Sequence, residues 1–252
     1  MKLTRRDTLT LALAATVAGV AGAPSLSFAK DGDVIDQLKL MAPAGIPDKI
    51  LGDPNAKVTV IEYASPTCPH CALFSNTVLE AFKAKYVATG KVKFILRPFA
   101  RNTMDAAIFM LSEAAAKASD ASPAGASTDP SAMSSAPAAA TADASNPSGY
   151  SQSAIAASEN VIATYFRTQD TWGVSDKPLD AVKAVAVQLG FSDQSFQAAL
   201  TNQDYFNAVE TMRDQAMKDF GLEGTPTFYI NGKQLTGEKT LEQLSAEIDP
   251  LL

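Results

Sequence analysis

The chain has 252 residues, 46% hydrophobic and 19% charged, a composition that excludes wholesale disorder and suffices for one or two cores. Its 27 acidic and 21 basic residues leave a formal net charge of −6, so it offers no basic field for nucleic acid or anionic lipid, and no nucleic-acid partner is expected. The two cysteines and the single histidine all fall in Cys68-Pro69-His70-Cys71, which excludes a disulfide-stapled scaffold and a self-contained four-ligand Cys/His zinc site.

Lys2, Arg5 and Arg6 precede an apolar run from Leu9 to Ala23, and Ser27-Phe28-Ala29 follows with small residues where a signal peptidase reads. Residues 1–29 therefore read as a cleaved export signal, since the run is short of the ~20 residues a membrane span needs. Thr4-Arg5-Arg6-Asp7-Thr8-Leu9 resembles a twin-arginine signal and leaves the ordinary secretory route open. The expected location is the bacterial periplasm, an oxidising compartment. Residues 30–56 form an N-terminal segment without an evident dimerisation domain, which favours a monomer.

Lys57 to Ser65 is nearly continuous in apolar and β-branched residues, as expected of a central strand covered on both faces. Cys71, Phe74, Val78, Phe82 and Tyr86 recur at steps of three and four, predicting one helix of about sixteen residues, closed by Gly90. Lys91 to Phe99 is a second strand, so residues 57–99 make a strand, helix, strand unit with the cysteines at its first turn.

From Thr103 to Phe220 the pattern is helical, with candidate core positions Met104, Ile108 and Leu111, then Ile155, Ile162 and Phe166, then Leu179, Val182 and Leu189, then Tyr205, Val209 and Met212. Pro178 suits a first helical turn, and Gly190 and Gly221 suit positions just past helix ends. Within this region Ala118 to Tyr150 is rich in Ala, Ser, Pro and Gly and holds no Leu, Ile, Val, Phe or Trp, so it is expected to be disordered. Pro226 to Ile230 and Lys233 to Leu235 are short strands joined by the hairpin signal Asn231-Gly232. Thr240 and Gln243 form a capping box for a last helix whose buried face is read as Leu241, Leu244, Ile248 and Leu251. The expected division is a strand-bearing unit at 57–101 and 202–252 with a helical insertion at 102–201, and Trp172 and Tyr229 are read as core aromatics.

Two cysteines at i and i+3 at a helix start lie on one face of one turn, where they can close a small, reversible disulfide ring. Cys68, at the N-terminus itself, has the unpaired N–H groups and the helix dipole to favour its thiolate, which makes it the nucleophile. Pro69 fits the first turn because its missing N–H would be unsatisfied anyway. His70 adds a donor or a positive charge beside the thiolate, stabilising the reduced form and so making the disulfide more oxidising. Cys71 falls on the apolar stripe and is expected to be the more buried, resolving thiol. A permanent structural bridge and a soft-metal site such as Cu(I) are the competing readings of the same pair. Thr225-Pro226 opens a strand, where a cis bond is an option and the Thr225 backbone could pair with an extended substrate.

Together the tetrapeptide and Gly221-Leu222-Glu223-Gly224-Thr225-Pro226-Thr227-Phe228-Tyr229-Ile230-Asn231-Gly232 resemble the DsbA family of bacterial thiol:disulfide oxidoreductases. The resemblance implies an α/β thioredoxin fold with an inserted helical domain and a dithiol enzyme needing no cofactor or metal. It also implies catalytic roles for Cys68, Pro69, His70 and Cys71, and a substrate-contacting loop at Thr225 and Pro226. The implied partners are exported proteins with free cysteines and a membrane, quinone-coupled reoxidant resembling DsbB. The resemblance further suggests Glu62 as a buried acid serving the resolving thiol, and Glu62 shares a strand face with Val58 and Val60. A strand-end glutamate reaching solvent is the alternative, and Lys91 or Lys93 are candidate partners for it. Threonine rather than valine before Pro226 is shared with isomerases, so the direction of exchange stays open between oxidase and reductase or isomerase.

Overall fold

In the computed structural model, residues 31–121 and 149–252 are described; the expected signal at 1–29 and residues 122–148 of the expected disordered segment lie outside them. Five strands, β1 (Ile50–Leu51), β2 (Val58–Ala64), β3 (Val92–Pro98), β4 (Thr227–Ile230) and β5 (Lys233–Thr236), form one sheet in the order β1-β3-β2-β4-β5. β2 runs parallel to β3 and antiparallel to β4, with Glu62 opposite Leu96 on one side and Phe228 on the other. All seven residues of β2 are buried, the condition its unbroken apolar run predicted for a central strand. The N-terminal segment supplies β1 and the short helix α1 (Gln37–Leu40), and Gly32, Asp33 and Ile35 bond to the β5 hairpin backbone.

Alternation of side chains divides the sheet into two faces. Val58, Val60, Phe94 and Phe228 pack against Phe74, Phe82, Tyr86, Leu244 and Ile248. Ile61, Tyr63, Ile95 and Tyr229 pack on the other side against the helical region, whose core includes Ile108, Ile162, Trp172 and Val209.

The single long helix expected after the cysteines is broken. Helix α2 (Pro69–Thr77) gives way to a one-turn helix α3 (Leu79–Phe82) and a π-helical turn at Lys83–Val87. Residues 75–78 are Ser, Asn, Thr and Val, poor helix formers, and two of them bond elsewhere: Thr77 Oγ1 back to the Leu73 carbonyl and Asn76 Nδ2 to the Phe166 carbonyl. Val78 sits at φ −116°, and Gly90 closes the unit at φ +70° as expected.

Between β3 and β4 the described chain is helical: α4 (Thr103–Ala121), α5 (Gln152–Arg167), α6 (Gln169–Trp172), α7 (Pro178–Gln188), α8 (Asp193–Leu200) and α9 (Gln203–Asp219). Pro178 opens α7, and Gly190 and Gly221 take positive φ just past helix ends. Three expectations are corrected. Ala118–Ala121 completes α4 rather than starting a disordered stretch, because alanine-rich sequence continues a helix that tertiary contacts have already nucleated. At the other end Tyr150 is anchored rather than disordered: its hydroxyl donates to both Glu113 carboxylate oxygens at 2.9 and 3.0 Å and its ring lies beneath Lys49. Leu179 and Leu251 are 51% and 37% exposed, so neither joins the core; Leu179 is in the first turn of α7 and Leu251 lies beyond α10 (Leu241–Ile248). The capping box at Thr240 and Gln243 and the positive φ values of Asn231 and Gly232 in the β4–β5 hairpin are as read.

One buried ion pair ties the N-terminal segment to the sheet. Arg97 on β3 is fully buried and holds Asp48 through two hydrogen bonds of 2.7 Å, while its third nitrogen donates to Tyr63 at 2.8 Å. Asp48→Ala would leave that guanidinium without its counter-charge and is expected to cost about 3–5 kcal/mol in urea denaturation. Replacing both partners by apolar residues of similar volume is expected to cost much less; an equal loss would show that the pair itself, and not the orphaned guanidinium, carries the stability.

Candidate active site

The site begins where β2 ends. Ser65-Pro66-Thr67 turns the chain, the Cys68 N–H donates to the Ser65 carbonyl at 2.9 Å, and Cys68 becomes the N-cap of α2 with Pro69 at its first position. Cys71 follows within the first turn, so the i, i+3 spacing brings the sulfurs together as two free thiols. Across the sheet edge, the thiol of Cys68 donates to the Thr225 carbonyl at 3.2 Å, and the Thr225–Pro226 peptide is cis. Cys68, Pro69, Cys71, Thr225 and Pro226 are thus one site.

Both thiols are nearly inaccessible, Cys68 1% and Cys71 0% exposed, and Cys71 is the more deeply buried, as expected. Charge separates them. The Cys71 thiol donates to Cys68 and lowers its pKa to about 5, against the opposing effect of burial; Thr225, the Cys71 backbone N–H and the Arg101 guanidinium add to the lowering. The Thr225 hydroxyl is buried with no hydrogen-bond partner among the described residues and favours the thiolate when that forms. Cys71 is pushed far above its ordinary value, first by burial and then by its hydrogen bond to Cys68.

Glu62 is 1% exposed on β2, on the face expected for it, so the reading of a solvent-reaching glutamate is set aside. Its Oε1 has no hydrogen-bond partner among the described residues, and Lys93 instead donates to the Pro54 carbonyl while Lys91 is exposed. Burial, reinforced by the charge of Cys68, raises its pKa to about 8. The carboxyl is therefore neutral at pH 7 and lies within the electrostatic reach of both sulfurs.

His70 is turned outward. Its side chain is 64% exposed and its Nδ1 pairs with the Glu238 carboxylate in the loop after β5, which raises its pKa. The imidazole belongs to the same helix turn as the sulfurs; its larger interaction is with Glu238, and the charge of Cys68 adds a smaller one.

Five further residues, outside the motifs of the sequence, complete the site. Asp105, fully buried in the first turn of α4, accepts from the Ser65 hydroxyl at 2.7 Å, the Thr67 N–H at 2.7 Å and the Arg101 N–H at 2.8 Å. The Arg101 guanidinium donates to Ser65 Oγ at 2.9 Å and Thr67 Oγ1 at 3.0 Å, and Asn102 Nδ2 donates to Thr67 Oγ1 at 2.9 Å. Gln169, opening α6, donates to the Pro66 and Cys68 carbonyls at 2.6 and 3.0 Å. Glu238 completes the set. For Asp105 the Asx-type cluster 101–105 before a helix was the available clue; for Gln169 and Glu238 there was none. Among the described residues no group of three or more His, Cys, Asp or Glu is placed to hold a metal ion.

The raised Glu62 pKa has a sign that can be checked. The folded chain keeps a proton that the unfolded chain releases above about 4.5, so this group lowers stability as pH rises from about 4.5 to 8. Glu62→Gln is expected to be more stable than the parent at pH 8 by roughly 4 kcal/mol, at ~1.4 kcal/mol per pH unit between about 4.5 and 8, and the gap is expected to shrink towards pH 5. Urea titrations of the reduced protein at both pH values read this directly; a gap independent of pH would mean that Glu62 is ionised in the fold.

The chain matches the thioredoxin family over residues 46–146 and 128–250. It is 26% identical over 207 residues to proteins of Rickettsia conorii and Rickettsia typhi that are named as candidate protein-disulfide oxidoreductases, covering 81% of this chain and 60% and 62% of theirs. It therefore spans about three fifths of the length of those curated relatives. Among solved structures it is similar to alpha-DsbA1 of Wolbachia pipientis, with TM-score 0.65, 23% identity and coverage of 86% of this chain and 96% of that one. It is also similar to a protein-disulfide isomerase of Novosphingobium aromaticivorans, with TM-score 0.59, 18% identity and coverage of 83% and 99%. These likenesses show an α/β thioredoxin fold with helices inserted between its strands.

Proposed function

The chain belongs to the thioredoxin family, and from that premise we propose that it is an exported thiol:disulfide oxidoreductase that donates disulfides to folding proteins through Cys68 and Cys71. The observation that carries this reading is the opposed shift of two adjacent thiols, Cys68 to about 5 and Cys71 far upward. A sulfur that is a stable thiolate at neutral pH is a good leaving group, and stabilising the reduced form makes the disulfide oxidising.

The exchange starts from the Cys68–Cys71 disulfide. A substrate thiolate attacks Cys68 Sγ, the bond to Cys71 breaks, and a mixed disulfide forms between substrate and Cys68. Cys71 leaves as a strongly basic sulfur, and neutral Glu62 is the acid at hand to protonate it. The substrate's second thiolate then attacks its own sulfur in the mixed disulfide, and Cys68 leaves as a thiolate. Two electrons have passed from the substrate to the Cys68/Cys71 pair; the two substrate protons are released to solvent, from which Glu62 regains the one it gave to Cys71, and Cys68 remains a thiolate. The Thr225 carbonyl, beside the Cys68 sulfur, can accept a backbone N–H from an extended substrate and hold its cysteine in line. Reoxidation then falls to a DsbB-like, quinone-coupled membrane partner in the periplasm, with this protein acting as a monomer.

Cys68→Ser is expected to abolish exchange and Cys71→Ser to accumulate mixed disulfides with reduced, unfolded clients on non-reducing gels; activity surviving in the Cys68 variant would sink the assignment. The direction is read from equilibration with glutathione buffers. A potential near roughly −120 mV is expected for a disulfide donor, whereas a value near about −270 mV would make the protein a reductase or isomerase, the role compatible with Thr225 before Pro226.

A further inference from the structure

We propose that Arg101 is the standing cation of the Cys68 thiolate, held at it by the buried Asp105 carboxylate and by the hydroxyls of Ser65 and Thr67. The inference rests on the dithiol reading of Cys68 and Cys71 and assigns to an arginine outside the tetrapeptide a role that the motif alone would give to His70.

The geometry favours Arg101 for three reasons. First, its guanidinium is anchored to the turn that delivers Cys68: Nε donates to Ser65 Oγ at 2.9 Å and Nη2 to Thr67 Oγ1 at 3.0 Å, and Thr67 directly precedes Cys68. Second, the anchor is built into the core. Asp105 is fully buried and accepts from the Arg101 N–H at 2.8 Å, and it lies 3.9 Å from Nε, so backbone and guanidinium of Arg101 are both fixed relative to the turn. Third, His70 is committed to Glu238 on the exposed surface, where its charge is compensated.

The groups around Cys68 include Glu62 and Asp105, Cys71, His70 with Glu238, and Arg101. Ionised Glu62 or Asp105 would oppose a thiolate, and Arg101 is the cation that offsets them; its field favours the thiolate. Arginine keeps its charge throughout the accessible pH range, so this contribution does not fade as a histidine's would. Arg101 thus acts as a positioning residue through its field, not as a group that touches the reacting sulfur. Its side chain is 38% exposed, which keeps the contribution modest.

The test uses the full chain, reduced, with the Cys68 thiolate followed by its absorbance near 240 nm as pH rises and the redox pair equilibrated in parallel with glutathione. Arg101→Gln is expected to raise the thiolate midpoint by about 0.5 to 1 unit and to make the protein roughly three- to tenfold less oxidising. Arg101→Lys, which keeps the charge but loses the fork, is expected to recover more than half of that shift. An unchanged midpoint in Arg101→Gln, or equal shifts in both variants, overturns the proposal. Should Arg101→Gln not fold, Thr67→Val removes the Nη2 anchor without changing charge; a midpoint within about 0.1 unit of the parent then overturns it. Because the midpoint needs no substrate, it is read independently of exchange: failure of the parent to exchange with glutathione defeats the dithiol function, not this assignment.

Discussion

The Asp105 carboxylate is the contact on which the site depends. A strand as thoroughly buried as β2 must end in a turn whose backbone groups are satisfied without continuing the sheet. From the first turn of α4 Asp105 accepts the Thr67 N–H and the Ser65 hydroxyl, while the Ser65 carbonyl accepts the Cys68 N–H, so the turn is held where the next residue caps α2. Cys68 is that residue. The helical region between β3 and β4 therefore does more than cover the sheet. Asp105 fixes the turn from α4, and Gln169 holds the carbonyls of Pro66 and Cys68 from α6.

The chemistry then follows from unequal environments for equal groups. Two cysteines three residues apart share a helix turn, yet one receives hydrogen bonds and a cation while the other gives its hydrogen bond away beside a buried acid. Glu62 is costly to bury, and a carboxyl without a salt-bridge partner takes the neutral form in such a setting. The neutral form can lend a proton where a carboxylate could not. The opposed pKa shifts of Cys68 and Cys71 and the raised one of Glu62 are thus one electrostatic arrangement.

The tertiary structure also decides how His70 meets the site: it reaches Cys68 through its charge and pairs with Glu238. A histidine between two cysteines invites the assumption that it faces them, but the helix presents residue 70 outward, and a carboxylate on the β5–α10 loop takes it. Rotation along α2 decides this: positions 68 and 71 lie on one face and position 70 is displaced by roughly 200° from position 68. The same loop connects β5 to a helix with its own capping box, which fixes where Glu238 can reach.

What could be read from the sequence is what the chain arranges over three or four residues or along one strand. The N-cap placement of Cys68, the i, i+3 sulfurs, the continuous burial of β2, the hairpin at Asn231-Gly232 and the Thr240 capping box all arise from local periodicity and backbone preference. Local rules also overreached where they met tertiary demands: the apolar stripe from Cys71 to Tyr86 concealed the break at Val78, and Tyr150 was hidden in small residues. Only the folded chain could bring Thr225 to Cys68 across 157 positions, Glu238 to His70 across 168 and Gln169 to Cys68 across 101. Such meetings leave no periodic trace, because their partners are chosen by how the sheet and helices stack and not by neighbours in the chain. The sequence by itself determined which sulfurs would react, and the tertiary structure decided which charges would govern them.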